Sequence, residues 1–356
     1  MAQRIAIVGA GLIGSALAFQ LARRGAQVTV IEAGLPGQAA SGRSFGWLNA
    51  SFFADEDHFR LRMSGMEAWR RLKADLPELS IRWPGALWWE EQGEALQDMR
   101  RKLGSLGYPV DHLNRSDLKR RLPDFADLPD EALGFPAEGV AETGQVVGQL
   151  LMAAQALGAR VMAGVEVTDL IESNSKLIGV RTNHGIIGAD QVILAAGTGS
   201  SQLMSTVGLS LPMLRRPGVI LQTSPLPQVL SQIVVAPDLE LRQDSSGHLI
   251  LPAAAAHQSD ASETVPNIAE LAEAAEKRLQ RYLPDIAIKW DQVTLAMRPV
   301  PKDGLPVIGA TQTKGLYLAV MHSGATLAAI TAEIATQEIL DDVRAPLLRP
   351  YRPERF

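Results

Sequence analysis

Arg4-Ile-Ala-Ile-Val-Gly-Ala-Gly-Leu-Ile-Gly14 compresses a buried strand, a tight turn and the start of a helix into one short stretch. The apolar run Ile5–Val8 suits a strand covered on both faces. Gly9 permits the turn, Gly11 lets backbone approach a pyrophosphate, and Gly14 lets the helix pack on the strand. Leu12 and Ile13 open that helix, whose first N–H groups and positive dipole end suit a phosphate. The glycine triplet is weak alone, and its surroundings strengthen it. A helix is expected over Leu12–Arg24, with Arg23 and Arg24 in its last turn and Gly25 as C-cap. Gln27–Ile31 reads as a second strand, leading into Glu32 and Ala33. Glu32 follows Gly14 by 18 residues, close to the spacing of a ribose-binding acid. A carboxylate there accepts from both ribose hydroxyls and repels a 2′-phosphate, which disfavours NADP and fits FAD or NAD.

The chain has 356 residues, 46% of them hydrophobic, so two domains are expected. A net charge of −5 and a pI near 5.8 argue against a nucleic-acid binder, whose footprint would be basic. There is no cysteine, which excludes disulfides, thiolate catalysis, zinc–thiolate sites and cysteinyl attachment of a flavin. The six histidines lack metal-ligand spacing, so no metal centre is expected. The first strand starts by residue 4, which leaves no room for a cleavable signal peptide. No apolar run reaches the roughly 18 residues of a membrane span. A cytoplasmic protein is expected, with peripheral membrane attachment left open.

Ala39–Asn49 reads as a small-residue loop, followed by a helix over Phe59–Leu76. Trp83–Glu90 reads as a strand carrying Trp83, Trp88 and Trp89, which suit core packing better than a pocket wall. Gly93–Gly104 and Ser116–Leu122 read as helices, and the Pro/Asp-rich residues 123–136 as a loop or domain crossing. Gly144–Gly158 is expected as a helix, and Arg160–Asp169, Ile178–Thr182 and Asp190–Ala195 as strands. Arg215–Thr223, Ile233–Ala236, Glu240–Gln243 and His248–Leu251 read as a second, mostly antiparallel sheet. A helix over Pro266–Leu283 and a long strand over Ile286–Pro299 follow. Leu316–Val320 and Thr326–Leu340 close the chain as strand and helix. This order predicts an α/β nucleotide domain in three pieces, 1–80, 140–212 and 300–356. A substrate domain, 81–139 and 213–299, is inserted twice.

Four patches point further. They are Gly9–Gly14 with Glu32, then Ser41-Gly-Arg-Ser-Phe-Gly-Trp47, then Val192-Ile-Leu-Ala-Ala-Gly-Thr198. The fourth is Arg298-Pro-Val-Pro-Lys-Asp-Gly-Leu-Pro-Val-Ile-Gly309, followed by His322-Ser-Gly-Ala-Thr-Leu327. In these patches the chain resembles the FAD-dependent D-amino-acid oxidase family, in its glycine oxidase and D-amino-acid dehydrogenase branch. The likeness spans nearly the whole chain, and the last patch is its specific part.

The resemblance implies an FAD-binding Rossmann-like domain of the glutathione-reductase type, with an α+β substrate domain. It implies non-covalent FAD and oxidation of the C–N bond of an amino acid or related carboxylate-bearing amine. The hydride passes to flavin N5, the imine hydrolyses, and O2 or a quinone takes the electrons. The cofactor contacts it implies come from Gly9, Gly11, Leu12, Ile13 and Gly14, from Glu32 and Ala33, and from Val167 beside adenine. Ala40, Ser41, Arg43, Ser44, Phe45, Gly46 and Trp47 supply the loop toward the flavin ring, Gly46 lying near N5. Ala196 and Gly197 end a strand at the cofactor face. His322, Ser323, Gly324, Ala325, Thr326 and Leu327 start the last helix, whose dipole points at the pyrimidine end.

Arg298 matches the family arginine that binds substrate carboxylate, and a guanidinium can grip a carboxylate with two parallel hydrogen bonds. His322 stands where glycine oxidases place a second substrate-facing arginine, and Glu240 takes the place of a substrate-binding tyrosine. Both departures lead away from glycine or a simple D-amino acid. Glu240 reads either as a partner for a cationic substrate group or as a solvated strand-edge residue. The alternatives are an NAD-dependent dehydrogenase, which leaves the fourth patch unexplained, and a flavoprotein subunit of a larger amine or opine dehydrogenase. A homo-oligomer is also compatible.

Overall fold

The computed structural model describes residues 2–254, 262–265 and 267–356. A six-stranded sheet runs in the order Val307–Ala310, Leu316–Val320, Gln191–Leu194, Arg4–Val8, Gln27–Glu32, Arg160–Ala163. Its pairs are parallel except the first, where Val307–Ala310 lies antiparallel to Leu316–Val320. Both faces are covered, as the continuous apolar runs require. Ile5, Ile7, Val30 and Ile193 pack under the helices Leu12–Arg23, Thr143–Ala156 and Gly324–Asp341. Ala6, Val8, Val192 and Leu194 face a three-stranded antiparallel sheet of Val167–Ser173, Lys176–Thr182 and Gly185–Gly188. The helix Glu56–Asp75 lies against Gly324–Asp341, so closely that a Cβ on Gly65 would meet the Thr326 carbonyl oxygen at 2.5 Å.

An eight-stranded sheet builds the second layer. Its order is Trp290–Met297, Pro217–Thr223, Leu249–Pro252, Leu239–Gln243, Ile233–Ala236, Ala86–Trp88, Glu131–Phe135, Asp111–Asn114. All its pairs are antiparallel except Ile233–Ala236 with Ala86–Trp88. One face carries Val219, Leu221, Leu239, Leu241, Leu249 and Leu251, packed with Ala275 and Leu279 of the helix Ile268–Tyr282. Side chains alternate across a strand. Glu240 and Arg242 therefore project from the other face, the side from which Arg242 reaches the Phe45–Gly46 turn. A small sheet of Trp47–Leu48, Gly139–Ala141 and Ile81–Arg82 ties the two layers together.

The α/β class and both sheets agree with expectation, and several boundaries are corrected. Trp83–Glu90 is not one strand: Pro84 lacks a donor, Gly85 takes φ +78°, and only Ala86–Trp88 pairs. Residues 123–136 are not merely a crossing, because Glu131–Phe135 joins the larger sheet between two strands. Arg160–Asp169 splits at Gly164, φ +72°, into Arg160–Ala163 and a strand starting at Val167. The long strand spans Trp290–Met297. The helix expected from Pro266 is observed over Ile268–Tyr282, and Pro266 itself lies outside the described residues. Trp88 and Trp89 are core residues, while Trp83 is half-buried under the Arg70 guanidinium, 3.9 Å from its ring centre.

Candidate active site

The C-terminal ends of the parallel strands converge on the first turn. Gly9, at φ +103°, donates its N–H to the Ile31 carbonyl at 2.8 Å. A Cβ on Gly9 would stand 2.5 Å from the Ala195 carbonyl oxygen, and one on Gly14 would collide with the Gly9 carbonyl oxygen. The helix Leu12–Arg23 starts at Gly11 with no cap from its own side chain and no acid in its first turn. Ser41 Oγ, from the second patch, accepts the Leu12 N–H at 2.9 Å. Glu32 holds the turn by accepting from Ala10 N–H at 2.7 Å and Gly34 N–H at 3.0 Å. Its half-buried carboxylate retains lone pairs for ribose hydroxyls. Val165 N–H donates to the Glu32 carbonyl at 2.9 Å, which sets buried Val167 beside this end, while Ala33 is exposed.

The four patches meet in space. Gly324 lies against Ile13, a Cβ there standing 3.7 Å from Ile13 Cδ1. Thr326 Oγ1 accepts the Asn49 N–H at 3.2 Å and donates to the Trp47 carbonyl at 3.3 Å. Trp69 Nε1 donates to the Ala325 carbonyl at 2.7 Å. Gly197, at φ +54°, sits near Pro299, beside half-buried Ala196. Half-buried Ala40 and Ser41 precede Arg43, whose guanidinium donates to the Leu295 carbonyl at 2.9 Å, on the edge strand of the larger sheet. Leu12 and Leu327 bury their side chains in the core, so only their backbone can serve a ligand.

Gly46 is the tightest point of the flavin-side loop. It takes φ +74°, its N–H donates to Ser44 Oγ at 3.1 Å, and a Cβ would collide with the Ala141 carbonyl oxygen. Close backbone packing therefore demands glycine here, whatever the ligand. Arg242, only 3% exposed, donates from Nε to the Phe45 carbonyl at 2.5 Å and pairs through Nη1 with Glu142 at 2.9 Å. Trp47 turns its indole to Glu138, which is fully buried and accepts from Trp47 Nε1 at 2.8 Å and Tyr108 Oη at 2.7 Å. Burial pushes the Glu138 carboxyl up to about 7, against the hydrogen bonds it receives.

A carboxyl raised above its unfolded value adds stability below the unfolded pKa and loses it as pH rises through the folded one. Wild type is thus expected to lose on the order of 3 kcal/mol from this group between about pH 4.5 and 7. Glu138→Gln removes that slope, so its stability difference from wild type changes across the window. Melting curves at several pH values check this, and a pH-independent difference would refute it.

Arg298, just past the strand Trp290–Met297, lies along Gly218 and donates from Nη2 to the Pro217 carbonyl at 3.0 Å. His322 is exposed in part to solvent, with protein packed closely around the rest of it. Burial holds it at about 4, with the cations of Arg298 and Arg62 adding to the depression, so the ring is neutral at working pH. Arg62, on the helix Glu56–Asp75, donates to the Asn49 carbonyl at 3.0 Å, to Asn49 Oδ1, and to Ser323 Oγ at 2.8 Å. Glu240 is half-buried on the same sheet face as Arg242. Arg62, Glu138 and Arg242 were invisible to motif reading. Alternation with Leu239 and Leu241 was the available signal for Arg242.

Residues 4–338 match a family model described as FAD dependent oxidoreductase. The chain belongs to this family. It is 28% identical over 376 residues to a bifunctional ThiO/ThiG protein of Trichormus variabilis, covering all of this chain and 55% of that protein. It is 26% identical over 333 residues to a glycine oxidase of Geobacillus kaustophilus, covering 89% of this chain and 87% of the relative. The crystal structure of a Geobacillus kaustophilus glycine oxidase superposes with a TM-score of 0.88 at 24% identity, covering 100% and 99% of the two chains. The chain thus spans about half the length of the bifunctional proteins it matches. As in its family, the cofactor is FAD. The residues present suit it: the Gly9–Gly14 turn that a Cβ would fill, the acid-free helix start and the Glu32 carboxylate form an anion-and-ribose cradle. Among the described residues no group of acids and histidines could hold a metal, and no helix is long and apolar enough to cross a membrane.

Proposed function

We propose that this chain oxidises the C–N bond of an amino acid or related amine that bears a carboxylate. Bound FAD supplies the two-electron acceptor. The observation that carries the reading is Arg298, a cation half-buried just past the strand Trp290–Met297 and within electrostatic reach of neutral His322. Its guanidinium takes the substrate carboxylate and fixes the α-carbon; backbone carbonyls of Arg216 and Pro217 fix the guanidinium in turn. Only a neutral amine is readily oxidised, and the neutral His322 ring can accept a hydrogen bond from its N–H. Gly46 brings backbone close to the reacting edge. Arg43 and the Trp47 strand join the FAD-binding pieces, 1–80, 140–212 and 300–356, to the substrate pieces, 81–139 and 213–299.

The substrate extends beyond glycine. Glu240, half-buried on the sheet face it shares with Arg242, suits an amine carrying a further cationic group, while Arg242 itself is taken up by Phe45 and Glu142. The reading includes O2 or a quinone as acceptor, a cytoplasmic location, and assembly as a homo-oligomer or as the flavin subunit of an amine dehydrogenase. Anaerobic mixing of the yellow protein with glycine, D-amino acids, N-methylated amino acids and opines tests it. At least one carboxylate-bearing amine is expected to bleach the flavin band, and amines of the same skeleton without the carboxylate are not. Bleaching by none of the panel, or equally by the decarboxylated analogues, counts against the proposal.

A further inference from the structure

We propose that Arg62 is the buried positive charge that stabilises negative charge on the pyrimidine end of the bound flavin, acting through Ser323 at the head of the helix Gly324–Asp341. The inference rests on placing that end of the flavin at Ser323–Thr326. Arg62 is 5% exposed, and its three hydrogen bonds go to neutral acceptors, the Asn49 carbonyl, Asn49 Oδ1 and Ser323 Oγ. Among the described residues no carboxylate pairs with it. A buried guanidinium without a counter-ion is costly, and chains tolerate one where a ligand supplies the missing charge.

The groups around Arg62 do not supply it. His58, one turn earlier on the same helix, is held near 4 by burial, and Arg62 and His322 lower it further. Its Nδ1 accepts the Ala54 N–H at 3.2 Å, leaving Nε2 buried with no partner. His322 is neutral for the same reasons, and Arg298 stands beyond it. Tyr108 is driven up by burial and stays protonated. Asp55 lies beside His58 and caps the helix by accepting its N–H, and Glu138, the acid that acts on Arg62, is engaged by Tyr108 and Trp47 and carries only part of a charge near neutral pH. Arg62 thus meets only neutral hydrogen-bond acceptors, and the acid that acts on it is weakened.

One anion, the substrate carboxylate, goes to Arg298. The other is the charge that the flavin acquires when its N5 takes an electron pair. Ser323 links the two parties: its hydroxyl oxygen accepts from Arg62, which leaves its own proton available to donate. The dipole of the helix Gly324–Asp341 adds to the same field. Arg62 therefore acts as a positioning and tuning residue, not as a substrate ligand.

Sulfite reads this charge without any turnover. Its lone pair adds to flavin N5, an S–N bond forms, the negative charge passes to the pyrimidine end, and no other group is oxidised or reduced. Wild-type holoenzyme is expected to bleach reversibly with sulfite. Arg62→Met is expected to bind sulfite about a hundredfold more weakly, for the loss of one buried charge that favours the adduct. Arg62→Lys, which keeps the charge, is expected to stay within about tenfold of wild type. A yellow wild type that sulfite does not bleach overturns the inference with no variant needed. So does equal sulfite affinity in yellow Arg62→Met, or an Arg62→Lys as weak as Arg62→Met. In each case the flavin reading stands. A wild type that stays colourless with excess FAD overturns that reading as well.

Discussion

Arg298→Ala is expected to bind FAD as wild type does and to lose flavin reduction by its amine substrate by roughly 10²–10⁴-fold, the cost of removing a charged partner from a buried carboxylate. The cofactor should stay because Arg298 donates to the Arg216 and Pro217 carbonyls of the larger sheet and lies away from the glycine turn. The loss should fall on both half-saturation and limiting rate, since an unanchored α-carbon no longer faces the reacting edge. Arg298→Lys keeps the charge but not the planar fork, so it should recover part of the loss. A second readout follows from His322. Burial is the main cause of its low pKa, and Arg298 deepens it. Removing the cation raises that pKa toward 6.5, so the acid limb of the reduction rate should move to higher pH. Anaerobic stopped-flow bleaching across pH measures both effects. Reduction at the wild-type rate would remove Arg298 from the site.

The nucleotide half was legible because its chemistry is local. Gly9, Gly14 and Glu32 lie within one β–α–β unit, and the spacing that bonds Glu32 to Ala10 N–H is written in consecutive residues. The Leu316–Val320 strand and the last helix were equally plain, being long apolar runs. The larger sheet was harder. Asp111–Asn114 reads as polar because it is an edge strand, and Glu131–Phe135 hides among prolines and aspartates that suggest a loop. Their strand character comes from pairing partners far away in sequence, which propensity does not carry.

The same limit governs the site. Arg62 and Glu138 belong to no motif; they matter because the helix Glu56–Asp75 and the turn before Gly139–Ala141 bring them to Ser323 and Trp47. Gly46 shows the converse. Family likeness assigns it to the flavin edge, while the structure gives an independent reason for glycine, the Ala141 carbonyl against its α-carbon. A substitution at Gly46 thus tests packing and ligand approach together, and cannot separate them. Gly14 can.

Gly14→Ala is expected to yield protein that no longer retains FAD. A Cβ at Gly14 would fall on the Gly9 carbonyl oxygen and stand 3.4 Å from Ile7 Cγ2. The obstacle is backbone, which cannot rotate aside, so the helix Leu12–Arg23 must lift off the strand Arg4–Val8. That movement carries away the helix start that faces the phosphates and parts Leu12 N–H from Ser41 Oγ. Overpacking of this kind costs about 1–3 kcal/mol in stability, and often more against backbone. The loss in affinity should exceed it, because the cradle is opened as well as strained. Gly25→Ala is the control. Gly25 also holds positive φ, at +83°, but nothing lies within 4 Å of its missing Cβ. It should lose on the order of 1 kcal/mol through strain alone and stay yellow. Flavin absorbance after gel filtration, with thermal melting of both variants, separates the two outcomes. A Gly14→Ala protein that keeps full flavin content would mean that the glycine turn does not carry the cofactor.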